Sequence, residues 1–434
     1  MYIIPLLTAF VFAFLFYMMH KDIFYPGCFF NGIWLLVLLF DAINIAGLFR
    51  PESNIYIILT IGIIFYNIGF LLLHFGKRKR VEKSAEICAI NADVSRTNKR
   101  FLAVQIIVSV FLLVLLSRML VYILDGNWYI VRRIYTSGTY EDGSAFMSTF
   151  ERMLYISYGI FPFAYANFIV GTVAALDGAI KKKYYLVSFI NMAVITLITG
   201  GRLSVFYMLI VFLVIYSRIK RKTGAAPISA AKRNLLILAA VVFAFVNIAL
   251  RTNDGETDFL GGGITYFVGG IHIFDEALQN PHTFGLTDRT FGVMTFRGFF
   301  EIINIFLYYL SGRTVPLLSS VFANNLFDNA IYIGAGIKFN AFPTLFYYHF
   351  RDMGYLGLAV FPLIISGIAN AVYDAGKRKA SYMNICLLAE AIYFISMSPC
   401  WSIFIQSEVW FRLLYIALLI RFYGFGKREV GARI

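Results

Sequence analysis

Apolar runs of roughly 16–24 residues recur along this 434-residue chain, and no other feature constrains its fold as much. A run of that length, wound as a helix, crosses a hydrocarbon core about 30 Å thick. In lipid only helices and closed barrels satisfy every backbone donor and acceptor. Eleven runs are discernible, at about 2–19, 28–49, 54–75, 101–124, 154–176, 184–200, 203–217, 235–250, 353–374, 381–399 and 404–423. Only 14% of residues are charged, against about a quarter in soluble domains. The chain therefore reads as an all-α polytopic membrane protein. Its first run lacks a basic n-region and a small-residue cleavage site, and is expected to be a retained helix.

Lysine and arginine set the orientation. The linkers 76–100, 177–183, 218–233 and 377–379, with Lys21 and the tail from Arg421, hold 25 of the 38 basic residues. Alternation of eleven spans puts all of them on one side, the cytoplasm. The C-terminus is then cytoplasmic and Met1 lies outside. Three regions follow: helices over 1–250, a large extracytoplasmic loop over 251–352, and helices over 353–434. The net charge of +14 reports this topology and not nucleic-acid binding.

A finer asymmetry points to chemistry. Of 15 lysines, 14 lie in the cytoplasmic segments, whereas 12 of 23 arginines lie outside them. Keeping arginine while excluding lysine suits planar forks that bind phosphate or carboxylate through two hydrogen bonds. Arg202 follows Gly200-Gly201 at one outer helix end, Arg251 ends another, and Arg351 precedes the ninth run. Three guanidinium groups on rigid helix ends would make a preorganised anion clamp. Snorkelling of each to the outer headgroups is the alternative reading.

The loop 251–352 concentrates the remaining polar chemistry. Candidate bases are His272, Asp275, Glu276, Glu301, His349 and Asp352; His272, His349 and Asp352 are carried as the catalytic set. Arg289, Arg297, Asn340 and Tyr347 join the arginine clamp as candidate substrate ligands. Residues 293–310 are apolar enough to touch the membrane, yet Arg297, Glu301 and Asn304 recur on one helical face. An interfacial or re-entrant helix with its polar stripe toward a cavity is expected there. A second interfacial helix is expected within Asp125–Arg152, where aromatic residues mix with paired arginines. The four cysteines and five histidines show no zinc spacing, and no P-loop or Ser-His-Asp spacing is present. No metal or cofactor is expected.

The stretch Lys338–Gly357 (KFNAFPTLFYYHFRDMGYLG) resembles a segment of the Wzy-type oligosaccharide repeat-unit polymerases, the O-antigen polymerase family, through Asn340, Phe342, Thr344, Asp352, Gly354 and Gly357. The Gly200-Gly201-Arg202 turn and Lys21–Pro26 (KDIFYP) are similar to further patches of that family. The resemblance implies a GT-C-like, metal-independent glycosyltransferase in a bacterial cytoplasmic membrane. Its substrate would be an undecaprenyl-diphosphate-linked oligosaccharide, with a flippase and a chain-length regulator as partners. It implies Arg202, Arg251 and Arg351 as diphosphate or glycan ligands, with Asn340 and Asp352 as motif residues. It supplies no base. Two other classes compete. An O-antigen ligase would use the same donor with another acceptor, and a flippase would show repeated halves, which this chain lacks.

Overall fold

The computed structural model describes residues 2–44, 47–75, 94–140, 143–201, 203–224, 259–316, 318, 331–335, 337–339 and 343–425. The helices open with α1 (Ile3–His20), α2 (Pro26–Ile43), α3 (Ser53–Phe75), α4 (Val94–Leu124) and α5 (Trp128–Ser137). A short α6 (Thr149–Arg152) runs through a π turn (Met153–Ser157) into α7 (Ile160–Leu176), followed by α8 (Lys182–Thr199) and α9 (Leu203–Thr223). Then come α10 (Phe259–Gln279), α11 (Arg297–Leu310), the hairpin β1 (Ile331–Gly334) and β2 (Ile337–Phe339), and α12 (Leu345–Met353). The chain closes with α13 (Tyr355–Arg378), α14 (Tyr382–Met397) and α15 (Ser407–Phe422).

Among the described residues, seven helical stretches are long and apolar enough to cross a membrane: Ile3–His20, Pro26–Ile43, Asn54–Leu72, Ser95–Leu124, Thr149–Leu176, Leu203–Thr223 and Tyr355–Arg378. Three other expected spans are helices that fall short of that standard. α8 opens on Lys182 and Lys183, α14 has 16 residues, and α15 has 16 and carries Glu408, Arg412 and Arg421. The expected span at 235–250 lies outside the described residues.

Packing divides the chain into two units that interleave along the sequence. The first comprises Met1–Glu82, Gly255–Asp374 and Ala391–Ser407. Its α1, α2 and α3 pack on one another, and α10 packs on α2, α3 and β1. Aromatic rings fill this core: Phe30 stacks on Tyr66 at 4.5 Å, and Trp34 meets Phe346 at 5.0 Å. The region 259–352 is therefore no detached loop, since α10 and α12 bury side chains in the same core. The hairpin is tied in by the residues after α2, where Phe49 N donates to Ile333 O at 2.8 Å.

The second unit comprises Lys83–Asp254, Ala375–Glu390 and Glu408–Ile434. Here α8 packs on α4, α5, α7 and α9. Its buried Asn191 bonds Gln105 and Ser109 of α4, so a polar contact links two apolar helices. A buried ion pair, Arg412 Nε to Glu390 Oε1 at 3.0 Å, is completed by the Tyr207 hydroxyl, which donates to the same oxygen at 2.6 Å. The interfacial element expected near 125–152 includes α5. Asn127 caps it by accepting from Ile130 N, and Val131 and Ile134 are buried.

Candidate functional site

Two polar clusters of the first unit are built on α10 and α12. α10 carries His272 and Asp275 three residues apart, hence on one helical face. That face meets the end of α2 and the start of α3. His272 Nε2 lies 3.1 Å from Asp41 Oδ1, and Tyr56 donates its hydroxyl to Asp41 Oδ2 at 2.7 Å. All three side chains are buried. One turn on, Asp275 Oδ2 accepts from Glu52 N at 3.1 Å and from Gln279 Nε2 at 3.0 Å. Burial raises the Asp275 carboxyl pKa, and the hydrogen bonds from Glu52 and Gln279 oppose the rise. Arg50 donates to Ala42 O at 3.1 Å, at the carbonyl end of α2 where a cation is favoured.

This cluster has the form of an oriented base. A carboxylate at Nε2 holds the imidazole proton there and leaves the Nδ1 lone pair as the acceptor. His272 Nδ1 makes no hydrogen bond to a described residue. Asp41 would also stabilise the imidazolium formed after proton uptake, as a buried carboxylate does in a serine-protease triad. Asp41 and Tyr56 are not among the candidates read from the sequence. The available signal was Asp41 itself, the single carboxylate of the apolar run 28–49, because ionisable groups inside such runs mark functional sites.

The second cluster is built on α12, whose residues Leu345 to Asp352 are all buried. The helix ends at Gly354, whose φ of 60° and ψ of −138° suit only glycine, and α13 starts immediately after. Arg351 and Asp352 thus sit at the end of a separate short helix, not at the start of the ninth run. Phe350 O accepts from Gly354 N at 2.7 Å and from Arg289 Nη1 at 2.6 Å, while the Arg289 guanidinium covers the Phe350 ring. The α12 N-terminus is pinned by Leu345 N, which donates to Ser398 O at 2.9 Å. Ser398 also accepts from Trp34 Nε1 at 3.0 Å. Residues 400–403, between the two last expected spans, are buried and not an exposed turn.

Asp352 accepts from the Thr290 hydroxyl, from Met294 N at 3.0 Å and from Thr295 N at 2.8 Å. Its carboxylate is an anchor for the 290–295 turn. His349 is equally occupied: Nε2 pairs with the Tyr66 hydroxyl at 3.2 Å, Nδ1 with Thr295 Oγ1 at 3.0 Å, and the ring stacks on Phe361. Burial lowers its pKa from 6.5 to about 3. Arg351 is buried with Nη1 3.4 Å from the Tyr347 hydroxyl, which donates to Phe284 O at 2.7 Å. Burial pushes Tyr347 up to about 12, against the opposing charge of Arg351.

The His349 environment has a consequence for pH. The folded protein keeps this ring neutral down to about pH 3, whereas the unfolded chain protonates it near 6.5. Between those values the unfolded state binds one more proton. Stability therefore falls as pH drops through this window, by about 1.4 kcal/mol per pH unit. Melting of the purified protein should show this acid limb, and His349→Gln should flatten it. An unchanged limb in the variant would assign it to other groups.

The helix α11 has 14 residues and a rise of about 21 Å, short of a hydrocarbon core. Its polar stripe is partnered within the protein. Arg297 Nε meets Glu301 Oε1 at 2.7 Å, and Asn304 binds Pro316 O and Leu318 N. Phe299, Ile303, Phe306 and Leu310 are exposed.

The structure thus gathers Arg289, Arg351, Tyr347, His349 and Asp352 about α12, with Arg297 nearby on α11. It puts His272 on the far side of α10. Phe274, two residues and about 200° around that helix, faces α12 through Tyr347 and Phe350. Arg202, Arg251 and Asn340 lie outside the described residues, although the turn before Arg202 is present: Gly200 caps α8 and Gly201 N donates to Thr199 Oγ1. Among the described residues no three His, Cys, Asp or Glu side chains converge as a metal-binding group. Comparison of the chain with protein-family models, curated proteins and solved structures finds no match.

Proposed function

We propose that the protein is a GT-C-like glycosyltransferase of eleven spans that polymerises lipid-linked oligosaccharides at the outer face of a bacterial cytoplasmic membrane. The observation that carries this reading is the Asp41–His272 dyad, a buried imidazole oriented by a carboxylate. Arginine retention outside the cytoplasmic segments and the family resemblance of Lys338–Gly357 support the choice of an isoprenoid diphosphate donor.

In the step envisaged, a sugar hydroxyl of the incoming lipid-linked unit attacks the anomeric carbon of the growing glycan. The new C–O bond forms as the bond to the diphosphate breaks, and the lipid diphosphate leaves with the electron pair. His272 Nδ1 takes the hydroxyl proton, and Asp41 balances the imidazolium. The proton then passes to water. Guanidinium groups stabilise the departing diphosphate, with the charge-assisted, bidentate geometry that arginine favours.

The test is reconstitution of the full chain in lipid with purified undecaprenyl-diphosphate-linked repeat units. A ladder of products differing by one repeat is expected. Transfer only to a lipid A-type acceptor would identify a ligase, and translocation without a new glycosidic bond a flippase; either overturns the reading.

A further inference from the structure

The turn that Asp352 anchors carries an aromatic residue where the backbone favours glycine. Thr290 O accepts from Val293 N at 3.0 Å, so residues 290–293 reverse the chain. The two central residues, Phe291 and Gly292, have φ of 50° and 97°. Positive φ at both centres is the type I′ arrangement, which glycine, asparagine and aspartate dominate. A bulky residue with positive φ crowds its Cβ against the backbone and is strained. Packing within the chain does not offset that strain. Phe291 is 77% exposed, more than any other large apolar side chain among the described residues.

The surrounding hydrogen bonds enforce the strained turn. The Asp352 carboxylate takes donors from Thr290, Met294 and Thr295, on both sides of the tip. Its backbone oxygen accepts from Phe291 N at 3.2 Å. A ring held outward against its backbone preference points to a role at the tip. The bond from Phe291 N puts that tip beside the start of α13, where Tyr355 and Leu356 are 59% and 57% exposed. α13 is long and apolar enough to cross a membrane, and its exposed apolar surface continues at Ile364 and Ile368. The first turn of such a helix meets the interface of headgroups and hydrocarbon, where aromatic rings concentrate. Leaving so much apolar surface in water is unfavourable; lipid removes that cost.

We propose that the 290–293 turn inserts the Phe291 ring into the membrane interface beside the first turn of α13. Phe291 is then a lipid anchor for the same turn that holds His349 through Thr295. The anchor needs no glycosyl-transfer chemistry.

The experiment places a tryptophan reporter at the tip. Full-length Phe291→Trp and wild type are reconstituted in phosphatidylcholine nanodiscs, with and without lipid brominated high on its acyl chains. The emission added over the wild-type tryptophans should be lost to brominated lipid and kept in aqueous iodide. Tyr355→Trp, in the first turn of α13, should behave alike. Phe291→Cys with a nitroxide label, read by its collisions with oxygen against a nickel chelate, repeats the comparison where the indole disturbs the turn. Added emission quenched by iodide and not by brominated lipid puts the ring in water and overturns the proposal. Protection from both quenchers also overturns it, since a protein partner or a second copy would then be the occupant. Iodide quenching relieved by undecaprenyl-diphosphate-linked repeat units would overturn it in favour of a glycan-stacking platform.

Discussion

With the proposed glycosyl transfer as the reaction, His272→Gln is expected to lower the rate of glycan extension by roughly 10²–10⁴-fold, the usual contribution of a positioned general base. Glutamine keeps a hydrogen-bond donor for Asp41 while removing the basic nitrogen, so the fold is disturbed little. Asp41→Asn should be of similar severity. An amide still bonds the ring, but it neither holds the proton on Nε2 nor offsets the imidazolium; the equivalent change in a serine-protease triad costs about 10⁴-fold. Tyr56→Phe removes only the second bond to Asp41 and should cost far less. Initial rates with purified lipid-linked repeat units, beside melting curves, separate chemistry from folding. Extension by His272→Gln at the wild-type rate would remove this histidine from the mechanism.

Asp352→Ala is expected to act through stability. The carboxylate accepts from Thr290, Met294 N and Thr295 N, all in buried surroundings. Truncation leaves three donors without an acceptor. Hydrogen bonds to a charged group contribute about 1.5–3 kcal/mol each, so a loss of about 4 kcal/mol or more is expected even with incomplete additivity. The 290–295 turn should detach from α12 and expose the Thr295 bond to His349. Asp352→Asn should recover part of the loss, since one oxygen remains an acceptor while the amide meets a donor. Protease sensitivity near 290–295 and the melting temperature report the effect. An Asp352→Ala protein that melts like the wild type but makes no polymer would show the carboxylate to be chemical and not an anchor.

These two residues also show what a linear reading can hold. Both were candidates for the same role, because a His and an Asp in a polar loop are equally eligible bases. Their environments separate them. Asp352 has its lone pairs filled by a segment some sixty residues upstream, and His349 has both nitrogens filled, one by a helix 283 residues away. His272 has one nitrogen without a hydrogen bond among the described residues, and its orienting carboxylate is 231 residues away. Gly354 was a readable signal of a helix end, which would have separated Arg351 and Asp352 from the following span. Asp41 was readable as an isolated acid in an apolar run, but nothing local joined it to His272.

Hydrophobic run length and the scarcity of charge within each run were enough to determine a helical, membrane-type chain, because backbone hydrogen bonding in lipid leaves few alternatives. Periodicity likewise marked the polar stripe of α11. The backbone near 316–318 that partners its Asn304 became visible only in three dimensions. Tertiary structure alone decided that α10 and α12 belong to the core with α1–α3. It also decided which of the loop's polar groups are consumed by the fold. Run length and local periodicity are properties of neighbouring residues and survive in the linear order. Hydrogen-bond satisfaction is a property of groups brought together by packing, so it separates an anchoring carboxylate from an oriented base only once the chain has folded.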